Sequence, residues 1–126
     1  MRPKIENSFG IITISNKVIA TICNHTMKSC YGVVGVATSK WKESLFAFVT
    51  GGGQKKGINI TSCDDGMVID LYIVVEYGVN IAAVSEIVMQ SVKYQVESLT
   101  GFTVKQVSVN VAAVRVDEGG NKVGSN

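Results

Sequence analysis

Three cysteines, one histidine and a pair of adjacent aspartates are the residues of this 126-residue chain whose types first invite a chemical reading. Cys23 and Cys30 share a helical spacing, but two helical turns at 1.5 Å per residue separate them by about 10 Å. One zinc ion, bound at about 2.3 Å from each thiolate, cannot take both. His25 is the only histidine, and two positions from Cys23 it points to another side of the same helix. That removes a Cys–His nucleophile pair. No Cys-x-x-Cys occurs. An odd cysteine count without paired spacing fits free thiols in a reducing compartment, where buried cysteines act as small hydrophobes. The expectation is no catalytic residue, no metal and no cofactor.

Other motifs weaken in the same way. Asp64-Asp65 resembles a carboxylate pair, but Gly66 follows, and Asp-Gly between strands is a strong hairpin signal. Asp70 stands inside a strand between Ile69 and Leu71, as a functional carboxylate, or as a residue that pairs with a nearby Lys or faces an open sheet surface. Gly51 to Gly57 is a flexible basic loop, not a phosphate-binding P-loop. In that motif Lys and then Ser or Thr follow the last glycine, whereas here the lysines precede Gly57 and Ile58 follows it. Serine catalysis lacks a Gly-x-Ser-x-Gly elbow. Lys40-Trp41-Lys42 with Leu45, Phe46 and Phe48 places cations beside aromatic residues. This suits packing on the domain or contact with a partner or membrane interface, but the stretch is too short to anchor alone.

The elements that must position these residues follow from composition and period. The mass is 13.5 kDa; hydrophobic residues make up 46% and charged residues 17%. One domain able to bury its own core is expected, and widespread disorder is excluded. A formal charge of +2 gives no basic stripe for nucleic acid. No apolar run approaches the roughly 20 residues that span a bilayer. Met1 to Asn7 lacks the apolar stretch of a signal peptide, so a cytoplasmic protein is expected.

Twenty Val and twelve Ile stand against three Leu, a bias toward strands. Gly10 to Ser15 reads as a short strand. Ser15 or Asn16 caps a helix carrying Ile19, Ile22, Cys23, Thr26, Met27 and Cys30, which Tyr31-Gly32 ends. Val33 to Ala37 is a strand, and Ser39 starts a short helix with Trp41, Leu45 and Phe48 on one side. Ile58 to Thr61 leads through the Asp-Gly turn to a central strand with Met67, Ile69, Leu71, Ile73 and Val75 on one face. Asn80 caps the clearest amphipathic helix, with Ile81, Val84, Val88, Val92, Val96 and Leu99 in steps of three and four, and Gly101 ends it. In the last strand, Phe102 to Val116, the alternation changes phase between Val111 and Val114, which predicts a β-bulge near Ala112-Ala113.

The order β-α-β-(short α)-β-β-α-β predicts an α+β two-layer sandwich: a mostly antiparallel sheet with two long helices on one face. A ferredoxin-like double unit is the topological rival. Residues 1–7 read as an N-terminal extension, 8–116 as a single domain and 117–126 as a disordered tail.

Taken together, several segments resemble one family. They are Gly10 to Ile19, Cys30-Tyr-Gly-Val-Val-Gly-Val-Ala, Lys56-Gly-Ile-Asn-Ile and Ile69-Asp-Leu-Tyr-Ile-Val-Val-Glu-Tyr-Gly-Val-Asn-Ile. Val88 to Glu97, Thr100-Gly101 and Val107-Ser-Val-Asn-Val complete the set. Their order resembles the alkaline shock protein family, the envelope stress response proteins of Gram-positive bacteria, and most closely its small housekeeping branch. The resemblance implies a non-enzymatic cytoplasmic scaffold or adaptor near the inner face of the membrane. The alternative is a soluble regulator of a dihydroxyacetone- or fatty-acid-kinase-like enzyme. Partners would be a membrane-anchored protein or that enzyme, with a homo-oligomer also expected. Within the motifs, Gly32, Gly35, Gly78 and Gly101 suit turns and close packing, and Asn80 suits a cap. Glu76 and Tyr77, with Trp41, Leu45 and Phe48, are the candidate contact residues.

Overall fold

The computed structural model describes residues 4–37 and 57–116. The expected helix with Trp41, Leu45 and Phe48, the glycine-rich stretch from Gly51 and the polar tail from Asp117 lie outside the described residues.

Lys4–Asn7 (β1) and Gly10–Thr13 (β2) form an antiparallel hairpin, Lys4 opposite Thr13 and Asn7 opposite Gly10. Residues 4–7 are therefore a paired strand where the sequence reading has only an extension. A side chain closes the turn. Asn7 Oδ1 accepts the N–H of Phe9 at 2.8 Å and of Gly10 at 3.2 Å, which is the Asx chemistry that makes Asn a turn residue. Ile5 then packs against the main core. A lone two-stranded hairpin is marginal in water, so this docking is what holds it.

Asn16–Lys28 (α1) starts on Ser15, whose Oγ accepts the Val18 N–H at 3.3 Å. The helix stops before the expected Tyr31-Gly32. The N–H groups of Ser29 and Cys30 turn back to the carbonyls of Thr26 and Met27 at 3.1 and 3.0 Å. Such three-residue closures tighten the last turn and satisfy carbonyls that would otherwise be orphaned. Ile19, Cys23 and Met27, four residues apart, form its buried stripe.

Val33–Val36 (β3), Ile58–Cys63 (β4), Gly66–Glu76 (β5), Ile81–Thr100 (α2) and Val104–Arg115 (β6) complete the described chain. β5 is the hub. Along one edge β4 pairs antiparallel with its first half, and β3 pairs antiparallel further along. Tyr72 sits where these two partners meet. Its N–H donates to the Gly57 carbonyl at 2.9 Å, and its carbonyl accepts from Ala37 N–H at 2.7 Å. In the β4–β5 hairpin Cys63 pairs with Gly66, so Asp64 and Asp65 are the two loop residues and Gly66 opens the strand.

β6 runs parallel along the other edge, from Met67 opposite Val104 to Glu76 opposite Arg115. α2 makes this possible: twenty residues of helix return the chain about 30 Å, nearly the length of β5. The expected antiparallel character thus holds for β3 and β4, with β6 the parallel member. β5 and β6, the strands joined by α2, are neighbours, so this βαβ unit is not split as the ferredoxin-like rival requires. The predicted bulge is present. Ile73 pairs with Val111 and Val74 with Ala113, leaving Ala112 as the extra residue.

The core lies between one sheet face and both helices. Met67, Ile69, Leu71, Ile73 and Val75 of β5 meet Val84, Val88, Val92 and Val96 of α2 and the α1 stripe in one cluster. Asn80 caps α2 through Oδ1, which accepts the Ala83 N–H at 3.0 Å, and Gly101 ends it in the left-handed conformation at φ +77°.

Candidate interaction surface

The residues with chemical potential stay apart. Cys23 and Cys30 are buried in the α1 layer, while Cys63 is exposed at the hairpin loop. Burial pushes the Cys23 thiol up to about 12. It is a protonated core side chain at neutral pH, not a nucleophile. His25 is exposed on α1. Asp65 pairs with Lys105 at 3.5 Å. Asp70 is half-buried on the sheet face away from the helices, in a lateral row between Asn59 and Ser108. Among the described residues, no group of three His, Cys, Asp or Glu side chains could hold a metal ion. A cleft of about 620 Å³ lies between β1, the β4–β5 loop and the residues after α2. It mixes Lys4, Asp64 and Asp65 with Ile5, Met67 and Phe102, and no histidine lines it.

The far end of the sheet is organised differently. Glu76 N–H donates to the Gly32 carbonyl at 2.9 Å, and Tyr77 N–H donates to the Arg115 carbonyl at 3.0 Å. These bonds gather Tyr31-Gly32, Glu76-Tyr77 and the end of β6 at one place. Tyr31 is 82% exposed and Tyr77 is 73% exposed. Val114 and Val116 are also exposed. The Arg115 guanidinium pairs with the Glu76 carboxylate. Exposed aromatic and apolar side chains and one ion pair thus share this end of the sheet. Of the expected contact residues, Tyr77 offers its ring here, while the Glu76 carboxylate is already engaged by Arg115.

Gly32 leaves room for the side chains of Val84 and Val79. Its φ is +89°, and a Cβ there would stand 2.9 Å from Val84 Cγ2. Gly78, in the turn after Tyr77, also has a positive φ, of +99°. Gly35 differs from that expectation. It lies in β3 beside the register shift, its φ is not positive, and a Cβ there meets no described atom within 4 Å.

Two exposed features were absent from the sequence reading. Tyr31 follows directly on Cys30 and reads as part of a helix end. Phe9 is 97% exposed at the β1–β2 turn, next to exposed Ile11 and Ile12. The signal for the latter was an aromatic residue between Asn7-Ser8 and Gly10, a turn tetrad in which no side chain has a core to enter.

Comparisons with known proteins agree on the ancestry. The sequence profile of the alkaline shock protein 23 family, described as having a cell envelope-related function, matches residues 4–116. The chain is similar to the uncharacterised protein Spy1614 of Streptococcus pyogenes, with 35% identity over 92% of this chain and 97% of that one. It is also similar to the uncharacterised protein YloU of Bacillus subtilis, with 33% identity over 92% of this chain and 98% of the relative. The uncharacterised protein YqhY of Bacillus subtilis matches at 27% identity over 49% of this chain and 46% of the relative. No helix among the described residues is long and apolar enough to cross a membrane. With a profile match spanning all of the described residues, the chain belongs to the alkaline shock protein 23 family, whose function is related to the cell envelope.

Proposed function

We propose that the chain is a non-enzymatic scaffold or adaptor, working on the cytoplasmic side of the envelope by docking a membrane-anchored protein partner. The docking surface is the end of the sheet that carries Tyr31 and Tyr77, with Val114 and Val116 beside them. One observation carries the reading: two tyrosines stand 82% and 73% exposed on backbones tied together through Glu76 and Gly32. Large aromatic rings left in water at a rigid site are unusual for packing and usual for recognition. Tyrosine is enriched at interfaces because it offers contact area with few rotors and a polar tip. The Glu76–Arg115 pair supplies a polar rim.

The experiment is capture from crosslinked native cells using the tagged whole chain, with bound proteins identified by mass spectrometry. The proposal expects a membrane-anchored protein, lost when Tyr31→Ala and Tyr77→Ala are combined. Recovery of a soluble kinase-like enzyme instead would replace the scaffold with a regulator. Turnover of a phosphorylated or lipid substrate by the purified chain would overturn both. Trp41, Leu45 and Phe48 form a second set of substitutions for the same assay.

A further inference from the structure

We propose that β6 pairs antiparallel with β6 of a second copy of this chain, about a twofold axis at Val109. This does not rest on the partner-docking reading above, because it is argued from the backbone edge of β6 between Gln106 and Val111 and not from Tyr31 and Tyr77.

The outer edge of β6 carries the argument. β6 is the longest strand described, and among the described residues no strand pairs with the side turned away from β5. Exposed edges are normally blunted by charges, proline or shortness. Here Gln106 to Val114 holds nine residues without a charge or a proline. The two cations that flank it are engaged elsewhere, Lys105 with Asp65 at 3.5 Å and Arg115 with Glu76. The bulges at Lys105 and Ala112 bracket an unbroken stretch, Gln106 to Val111, in regular register with Val68 to Ile73.

The hydrogen-bond directions select the register. Tyr72 turns both its N–H and its carbonyl away from β6, toward Gly57 and Ala37. Backbone groups alternate along a strand, so Leu71 and its odd-numbered neighbours face β6. Asn110 fits this pattern, its side-chain amide reaching the Leu71 carbonyl at 3.1 Å. In a parallel ladder where Leu71 is opposite Val109, the bonds from Leu71 go to Ser108 and Asn110. Val107, Val109 and Val111 therefore point their N–H and carbonyl groups outward. Residues opposite each other in an antiparallel pair must share a sheet face, so a twofold axis must pass through a residue. Centred on Val109, the axis places Val109 opposite its own copy and Val107 opposite Val111. Every outward group of these three residues then finds a partner. The occupant is a second copy because the pattern is complementary to itself, as an isologous twofold interface requires.

The test measures the mass of the whole chain in solution by sedimentation, alongside two variants. Wild type should sediment at twice 13.5 kDa. Val109→Pro removes an outward N–H without removing a bond to β5, and should give a monomer of unchanged circular dichroism. If that variant fails to fold, Ser108→Lys, which places charge opposite Asn110 of the copy, decides in its place and should also be monomeric. Amide exchange by NMR supplies an independent reading: the Val107, Val109 and Val111 amides should be slow in wild type, and the Val107 and Val111 amides fast in Val109→Pro, which has no amide proton at 109. A wild-type chain that stays at 13.5 kDa up to high concentration overturns the proposal. So does a dimer that survives in a folded variant, or fast exchange at all three valines in the dimer.

Discussion

Glu76 donates its backbone N–H to the carbonyl of Gly32 at 2.9 Å, and its carboxylate takes the guanidinium of Arg115. One residue thus links β3, β5 and β6 at the end of the sheet where Tyr31 and Tyr77 stand. Gly32 also packs directly against Val84 and Val79. Its backbone has φ +89°, and any Cβ would press on Val84 Cγ2 at 2.9 Å. Replacing it with alanine combines left-handed strain with a core clash. Gly32→Ala should destabilise the fold by about 1–3 kcal/mol, read as a lower urea midpoint. An unchanged midpoint would contradict the role given to this glycine.

The buried thiol of Cys23 makes stability fall in alkali. Burial raises it from 9.0 to about 12. The unfolded chain releases that proton first, so the contribution is complete below pH 9 and declines as the pH rises toward 12. Cys23→Ala should be less stable than wild type at pH 7, because it leaves a cavity. The difference should shrink between pH 9 and 11, since the variant has no thiol to ionise. A difference constant with pH would refute the assignment. In the folded protein, thiol reagents should modify Cys63 quickly and Cys23 and Cys30 slowly, following their exposure.

Acid acts through Glu97 with the opposite sign. The Val104 N–H donating at 2.9 Å, and then the Lys93 ammonium at 3.0 Å, hold its carboxyl below the ordinary 4.5. A lowered carboxyl contributes stability that is present above the unfolded value and lost as the pH falls through the folded one. Wild type should exceed Glu97→Gln in melting temperature at neutral pH. The gap should close as the pH falls from 4.5 through the lowered value of the folded state. A gap that persists in acid would show that charge is not the cause.

Two leucines separate core from surface. Leu71 is fully buried in β5 and Leu99 is exposed on α2. Leu71→Ala should cost about 2–5 kcal/mol through lost burial and a cavity, whereas Leu99→Ala should stay within about 0.5 kcal/mol. Equal effects in chemical denaturation would contradict the placement of the core.

Local features were legible in the sequence and relations between distant segments were not. Asn80 and Gly101 marked the ends of α2 because a cap and a left-handed stop depend on one or two residues. The valine ladder of α2 and the alternation of β5 announced their buried faces. The phase change between Val111 and Val114 announced the bulge at Ala112. β1 was invisible because four residues give too short an alternation, and its stability comes from the Asn7 turn and the docking of Ile5. The early end of α1 turns on backbone closures to Thr26 and Met27 that no residue type advertises. The paired exposure of Tyr31 and Tyr77 needs the hydrogen bond between Glu76 and Gly32, 44 positions apart in the chain. Tyr77 was singled out through its family motif, but Tyr31 becomes a candidate only once the sheet is assembled.

The most direct test of the account is crosslinked capture with wild type and with the Tyr31→Ala, Tyr77→Ala double variant, compared at equal expression. Both rings are exposed, so the double variant should keep the wild-type circular dichroism and melting temperature. The account predicts that a membrane-anchored protein is recovered with wild type and lost with the folded double variant. Recovery of the same partner in equal amount by both would contradict it and move the docking surface elsewhere on the molecule.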